Sequence, residues 1–207
     1  MKALEWCYAK ALSGGGPFSS AMKLANDHLV KGPSKTAAVE HLINWQVAKC
    51  ATSGFVTGLG GLVTLPAAIP ANLSSVLLLQ LRMILAVAIL GGFDPRREEV
   101  KTMAFVCLTA GDSTAILRSV GIFPEKPTSE NVVKHMNEQV TRRINHLVKI
   151  RLLAKSGRIG LLKLGKAIPL VGGVVGATLD ASATKEIGKA AKRLFLLSDP
   201  SKLPSAA

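Results

Sequence analysis

Residues 50–81 read CATSGFVTGLGGLVTLPAAIPANLSSVLLLQL, from Cys50 to Leu81, and contain no Asp, Glu, Lys or Arg. Apart from Arg82, the chain stays uncharged as far as Phe93. An apolar run of this length must be hidden in a protein core, against a partner or in a bilayer. Its punctuation divides it in two. Gly54, Gly58, Gly60 and Gly61 fill the first piece at helical spacing, and Pro66 and Pro70 bracket a kink or short loop. A continuous helix is expected from about Ala71 to Leu90, ended by Gly91-Gly92. The pattern is a Gly/Pro-broken helical hairpin, with Gly58, Gly61, Pro66, Pro70, Asn72 and Gln80 as its distinctive positions.

A helix of about twenty residues is long enough to cross ~30 Å of hydrocarbon. Its roughly ten Leu, Ile and Val residues each favour the bilayer centre by about 0.3–0.6 kcal/mol, whereas Arg82 alone costs about 2.5–3.5 kcal/mol there. Asn72, Ser74, Ser75 and Gln80 add to the unfavourable side, so unaided insertion is marginal. Two arrangements satisfy the segment: a central helix of a bundle, apolar all round because it is surrounded, or an element that enters the membrane. In a core, Arg82 needs a partner, because an unpaired buried charge is costly. Asp180 and Asp112 are the expected candidates for a buried ion pair.

The flanking sequence is helical too. Met1–Leu12 forms a short helix stopped by Gly14-Gly15-Gly16. Pro17 opens a second helix to about Val30, and Ser34–Lys49 forms a third with Val39, Leu42, Ile43 and Val47 on one face. Asp94-Pro95 restarts the chain as N-cap and first helical residue of Arg96–Thr109, and Asp112–Val120 follows with Gly121 as its C-cap. Glu125–Ser129 is the clearest linker. A long helix is expected from Ser129 to about Ala154, and a last one from Asp180 to Leu197. The apolar residues are Leu, Val, Ile and Ala with many Gly, and aromatics are only 4%, which suits close-packed helices better than a sheet. The fold expected is all-α: one compact helical bundle over residues 1–207, built around the central hairpin. Residues 36–195 form its main part, 1–33 its N-terminal helices and 198–207 a frayed tail.

The net charge is +13, and most of it lies in one region. Along the long helix Val132, Val133, Met136, Val140, Ile144, Leu147, Val148 and Ile150 recur at three- and four-residue steps. The other face carries Lys134, Arg142, Arg143, Lys149 and Arg151, and positive charge continues through Lys155, Arg158, Lys163 and Lys166. This is a basic amphipathic helix. It has no aromatic residue for base stacking, which argues against nucleic acid and for an anionic lipid surface.

Catalytic chemistry has little to stand on. His41 shares a helix face with Trp45, and His135 and His146 lie near one face of the long helix, but no HExxH, His/Cys cluster or paired acidic motif supplies a metal set. Cys7, Cys50 and Cys107 are far apart, with no CxxC and no adjacent base. They read as buried reduced thiols of a reducing compartment. Gly58-Leu59-Gly60-Gly61 and Gly172-Gly173 lack the Lys-Ser/Thr of a phosphate loop, and Ser53, Ser74 and Ser113 lack a G-x-S-x-G context. No cofactor or metal is expected. The N-terminus has charges inside its apolar pattern and no signal-peptide core.

The segment TSGFVTGLGGLVTLPAAIPANLSSVLLLQLRM, Thr52–Met83, closely resembles the EcsC protein family. The likeness continues in Gly91-Gly92-Phe93-Asp94, Cys107-Leu108 with Gly111, Gly165–Gly173, Asp180-Ala181 and Ile187–Lys192, and departs at Asp112-Ser113. It covers most of the chain, weakening before Thr36 and after Phe195. The resemblance implies a bacterial, helical, apolar protein whose family name comes from a gene context beside a membrane transporter. It implies no reaction and carries over no catalytic residue. The functional expectation is a non-enzymatic protein in the bacterial cytoplasm, peripheral to or partly inserted in the inner membrane. Its basic helix would hold anionic lipid. The alternatives are an accessory subunit docking its hairpin on a transporter or other membrane protein, and a hydrolase whose site is scattered in sequence.

Overall fold

The structure, a computed structural model, describes residues 2–15, 18–51, 71–122, 132–133, 135–164 and 169–196. Regular structure among them is helical: α1 (Lys2–Ser13), α2 (Ala21–Leu29), α3 (Lys35–Ala51), α4 (Ala71–Leu90), α5 (Glu98–Leu108), α6 (Ser113–Ser119), α7 (Glu138–Leu164) and α8 (Pro169–Ala191). A 3-10 turn, Ala110–Asp112, joins α5 to α6, and a π turn, Lys192–Leu196, continues α8. The all-α expectation holds. Positions Gly58, Gly61, Pro66 and Pro70 of the first hairpin arm, and the Glu125–Ser129 linker, lie outside the described residues.

Local chemistry sets the helix ends and moves several from where periodicity puts them. Ser20 caps α2 by accepting Lys23 N–H at 3.1 Å, so this helix begins at Ala21 and not at Pro17. Ser34 does the same for α3 through Ala37 N–H at 3.2 Å. Asp94 accepts Arg96 N–H at 2.9 Å within a turn, and α5 starts only at Glu98. The long basic helix starts at Glu138, well after Ser129. There Asn137 Oδ1 accepts Val140 N–H at 2.8 Å, and residues 136 and 137 are not helical. It then runs past Ala154 to Leu164, and α8 starts at Pro169 where the sequence suggested Asp180. In both cases a helix passes through glycines that local propensity reads as breaks, each costing about 1 kcal/mol relative to alanine.

Helix α4 is the axis. Every residue from Leu78 to Ala88 is buried. It is packed on by α1, α2, α3, α5, α8 and the terminal π turn. An element with no polar face can be stable only if enclosed on all sides. Tyr8 ties α1 to the far end of α4: its hydroxyl donates to the Pro95 carbonyl at 2.6 Å, and its ring meets Phe105 edge-on at 5.5 Å. Helices α3 and α8 pack against each other, with Gly188 facing Ile43. At the end of α4, Gly91 lies against the Phe195 backbone carbonyl with no room for a side chain.

Among the described residues no single helix is long and apolar enough to cross a membrane. Helices α5 and α6 reach that length and composition only together, and they meet at 118° around Ala110, a non-glycine residue at φ 53°. Most of α5 is buried in the bundle. The described part of the hairpin is therefore core in this structure.

The α3–α8 contact gives a direct check. A Cβ at position 188 would stand 2.6 Å from Ile43 Cγ2. Gly188→Val should lower stability by about 1–3 kcal/mol in urea denaturation. Adding Ile43→Ala should recover part of that loss, giving a favourable coupling energy in the double-mutant cycle.

Candidate functional site

Helix α7 lies at the edge of the bundle, packed mainly on α5 and α6. Ile144 and Val148 are fully buried there, with Val140, Leu147 and Leu152 partly buried beside them. The apolar stripe read from sequence therefore faces inward, except for Ile150, which is 48% exposed. Outward, Arg142, Arg143, His146, Lys149, Ile150 and Leu153 follow one another at helical spacing, all exposed. Arg142 reaches Glu138 at 3.5 Å, and Arg151 reaches Asp112 at 3.7 Å. These exposed pairs contribute little to stability. Lys155, Arg158 and Lys163 fall on the continuation of α7, whereas Lys134 and Lys166 lie outside the described residues.

The expected buried ion pair is arranged differently. No ion pair among the described residues includes Arg82, although it is only 4% exposed. Its Nη1 donates to the Ser19 carbonyl at 3.2 Å, its guanidinium lies 5.1 Å from the Phe18 ring centroid, and its buried Nε has no acceptor. Burial lowers its pKa from the ordinary arginine value. Asp112 is at the α5–α6 bend with Arg151, and Asp180 is half-buried on α8, where its charge adds to burial in raising the pKa of the Cys50 thiol. The geometry of α4 explains this. Gln80 and Arg82 are two residues apart, about 200° around the helix, so they face opposite sides. Gln80 Nε2 donates to Thr184 Oγ1 on α8 at 3.0 Å, which sends Arg82 toward the α1–α2 turn.

Sequence reasoning passed over the polar layer on the Gln80 side. Thr184 is fully buried between Gln80 and Cys50, whose Sγ lies 3.3 Å from the Thr184 hydroxyl. Gln46 on α3 is fully buried too, and neither of its side-chain amide atoms has a partner. Such a group costs about 1–3 kcal/mol. The signal available in sequence was a Gln set among the apolar residues of α3. Asn72, also named with the hairpin, falls in the first turn of α4.

The remaining nucleophile and ligand candidates stay apart. No group of three His, Cys, Asp or Glu residues forms a metal set among the described residues. His28 and His41 approach with ring centroids 5.2 Å apart, and His28 Nδ1 is 2.9 Å from the Leu24 carbonyl. Burial, more than the neighbouring charges, lowers the His28 pKa. All three cysteines are free and buried. Burial pushes Cys7 up to about 11 and Cys107 to about 12, and raises Cys50 as well. These thiols are protonated at neutral pH and are poor nucleophiles.

The EcsC protein family matches residues 30–197, most of the chain. An uncharacterised protein, YdbA of Bacillus subtilis (strain 168), is 29% identical over 147 residues, which cover 69% of this chain. The match spans about half, 49%, of that relative's length. No solved structure matches the chain.

The thiol chemistry is checkable. At pH 8 none of the three cysteines should react with a chromogenic disulfide in the native protein, and all three should react in denaturant. Stability should fall as pH rises above about 9, because unfolded thiols then ionise while the buried ones hold their protons. Native thiol labelling at pH 8 would disprove this burial.

Proposed function

The chain belongs to the EcsC protein family, and we propose that it is a non-enzymatic protein of an anionic membrane surface, held there by the outward face of α7. The division of α7 carries this reading. Its Ile144 and Val148 are committed to the core, while Arg142, Arg143 and Lys149 remain exposed on the outward side beside Ile150 and Leu153, which are 48% and 62% exposed; Arg151, seven residues on from Ile144, lies on the inner side and reaches Asp112. Each Lys or Arg near an anionic leaflet contributes about 1 kcal/mol, and the two exposed aliphatic residues add apolar contact beside Lys149. Lys155, Arg158, Lys163 and Lys166 extend the same basic stretch along the chain.

The mode of contact follows from the packing. A helix whose main apolar stripe is occupied by α5 and α6 has only a small apolar area to lend a bilayer. Contact through its charged face is shallow, electrostatic and screened by salt, with a Debye length of about 10 Å at 0.1 M and about 3 Å at 1 M. The proposed location is the inner face of the cytoplasmic membrane, where the leaflet carries negative charge. On this reading α4 works as core and not as anchor.

Flotation with liposomes tests it. The protein should float with vesicles containing phosphatidylglycerol at low salt, stay behind with neutral phosphatidylcholine, and be released at high salt. The double reversal Arg143→Glu with Lys149→Glu should weaken binding at least about tenfold. Equal binding to neutral vesicles, or none to either, would overturn the proposal. No flotation, together with capture by a defined membrane protein, would instead favour the accessory-subunit reading.

A further inference from the structure

Helix α2 is divided in the same way as α7, with the apolar side chains on both of its sides. Ala21, Leu24, Ala25 and His28 recur at three- and four-residue steps and are buried. On the other side Met22, Asn26, Leu29 and Val30 recur at similar steps, and all four are exposed. Val30, the helical C-cap of α2, is 88% exposed. Of the large hydrophobic residues exposed among the described ones, three thus lie on α2, two on α7 and one, Trp45, on α3. Apolar residues gathered on one exposed side mark a contact surface, whereas scattered ones do not. The surroundings are basic. Residues 20–35 carry Lys23, Lys31 and Lys35 against one acid, Asp27, which Lys23 already holds at 3.2 Å. Lys31 and Lys35 are exposed and form no ion pair among the described residues.

We propose that the outward side of α2, with the turn at residues 30–35, is a second contact for an anionic bilayer, placed apart from α7 so that one molecule joins two membrane surfaces. Met22, Leu29 and Val30 enter the boundary between head groups and acyl chains, and Lys31 and Lys35 meet the anionic head groups beside them. The size of the surface selects this occupant. A stable protein interface takes about 800 Å² and some 20–30 residues from each partner, far more than one side of a nine-residue helix offers. Two copies of this chain, each at +13, also repel one another. Binding to a bilayer has no such threshold, because it scales with apolar area plus charge. The packing separates the two surfaces. Helix α2 packs mainly on α4, α3 and α1, and α7 mainly on α5 and α6, so they share no supporting helix. Since α4 packs on α5, the two outward sides point away from that contact in different directions. The bridging rests on the α7 reading, and the α2 contact does not.

The experiment uses the full chain with Val30→Cys carrying an environment-sensitive fluorophore, since the three native cysteines are buried. Its emission should shift to shorter wavelength on phosphatidylglycerol vesicles at low salt, should not shift with phosphatidylcholine, and should still shift in the Arg143→Glu, Lys149→Glu background. Light scattering should show the unlabelled wild type clustering phosphatidylglycerol vesicles. The triple variant Met22→Gln, Leu29→Gln, Val30→Gln changes exposed positions only. It should keep its Tm and its flotation through α7, yet lose the clustering. Added to the α7 reversal, it should weaken the remaining binding at least about tenfold. A shift that persists while the α7 reversal leaves flotation unchanged would support the α2 contact and refute the α7 reading. A shift without clustering by the wild type would support the contact and overturn the bridging. A silent label, or clustering by the triple variant equal to wild type, would overturn the proposal. So would a lipid-free dimer in sedimentation equilibrium that the triple variant abolishes, because the surface would then belong to a second copy.

Discussion

The rest of the fold depends on one constraint, that α4 has no polar side. From Leu78 to Ala88 it presents buried residues in every direction, so neighbours must stand all around it. Five helices and a terminal turn do so. Their close approach needs small residues where backbones meet, and Gly188 against Ile43 and Gly91 against Phe195 supply them. Tyr8 closes the arrangement by bonding the turn that follows α4. Burial of large aliphatic side chains, each contributing about 1.5–3 kcal/mol when fully enclosed, drives this assembly.

Enclosure also decides how polar residues on α4 are treated. Gln80 finds Thr184, and the layer extends to Cys50. Arg82, on the opposite side of the same helix, receives a carbonyl and an aromatic face. A bundle this apolar has few places to hold a buried charge, and it holds this one beside the start of α2. Together with the unpartnered amide of Gln46 and the buried Oδ1 of Asn145, this gives three locally unfavourable places among the described residues.

The charge on the outside is organised by the same packing. Once α5 and α6 take the Ile144–Val148 side of α7, Arg142, Arg143 and Lys149 face away from the bundle, whereas Arg151, on the inner side, reaches Asp112. The resulting patch is basic with two exposed aliphatic residues, a composition suited to a charged surface and poorly suited to deep insertion. Exposed partners on the protein, Glu138 for Arg142 and Asp112 for Arg151, are weak and easily exchanged for other anions.

The sequence by itself determined the helical class, the bounds of α4 at Ala71 and Leu90, the buried faces of α3 and the basic character of α7. It could do so because apolar periodicity, glycine-proline punctuation and charge are local properties. The family resemblance, carried by ordered strings between Thr52 and Lys192, was legible for the same reason. Helix starts at Ala21, Glu98, Glu138 and Pro169 were not, since several residues can cap and the choice of Ser20 or Asn137 depends on how the chain enters each helix. The partner of Arg82 was decided only by tertiary structure. Which side of α4 faces α8, and what stands at the α1–α2 turn opposite, depends on how distant segments pack. No spacing within one helix encodes that.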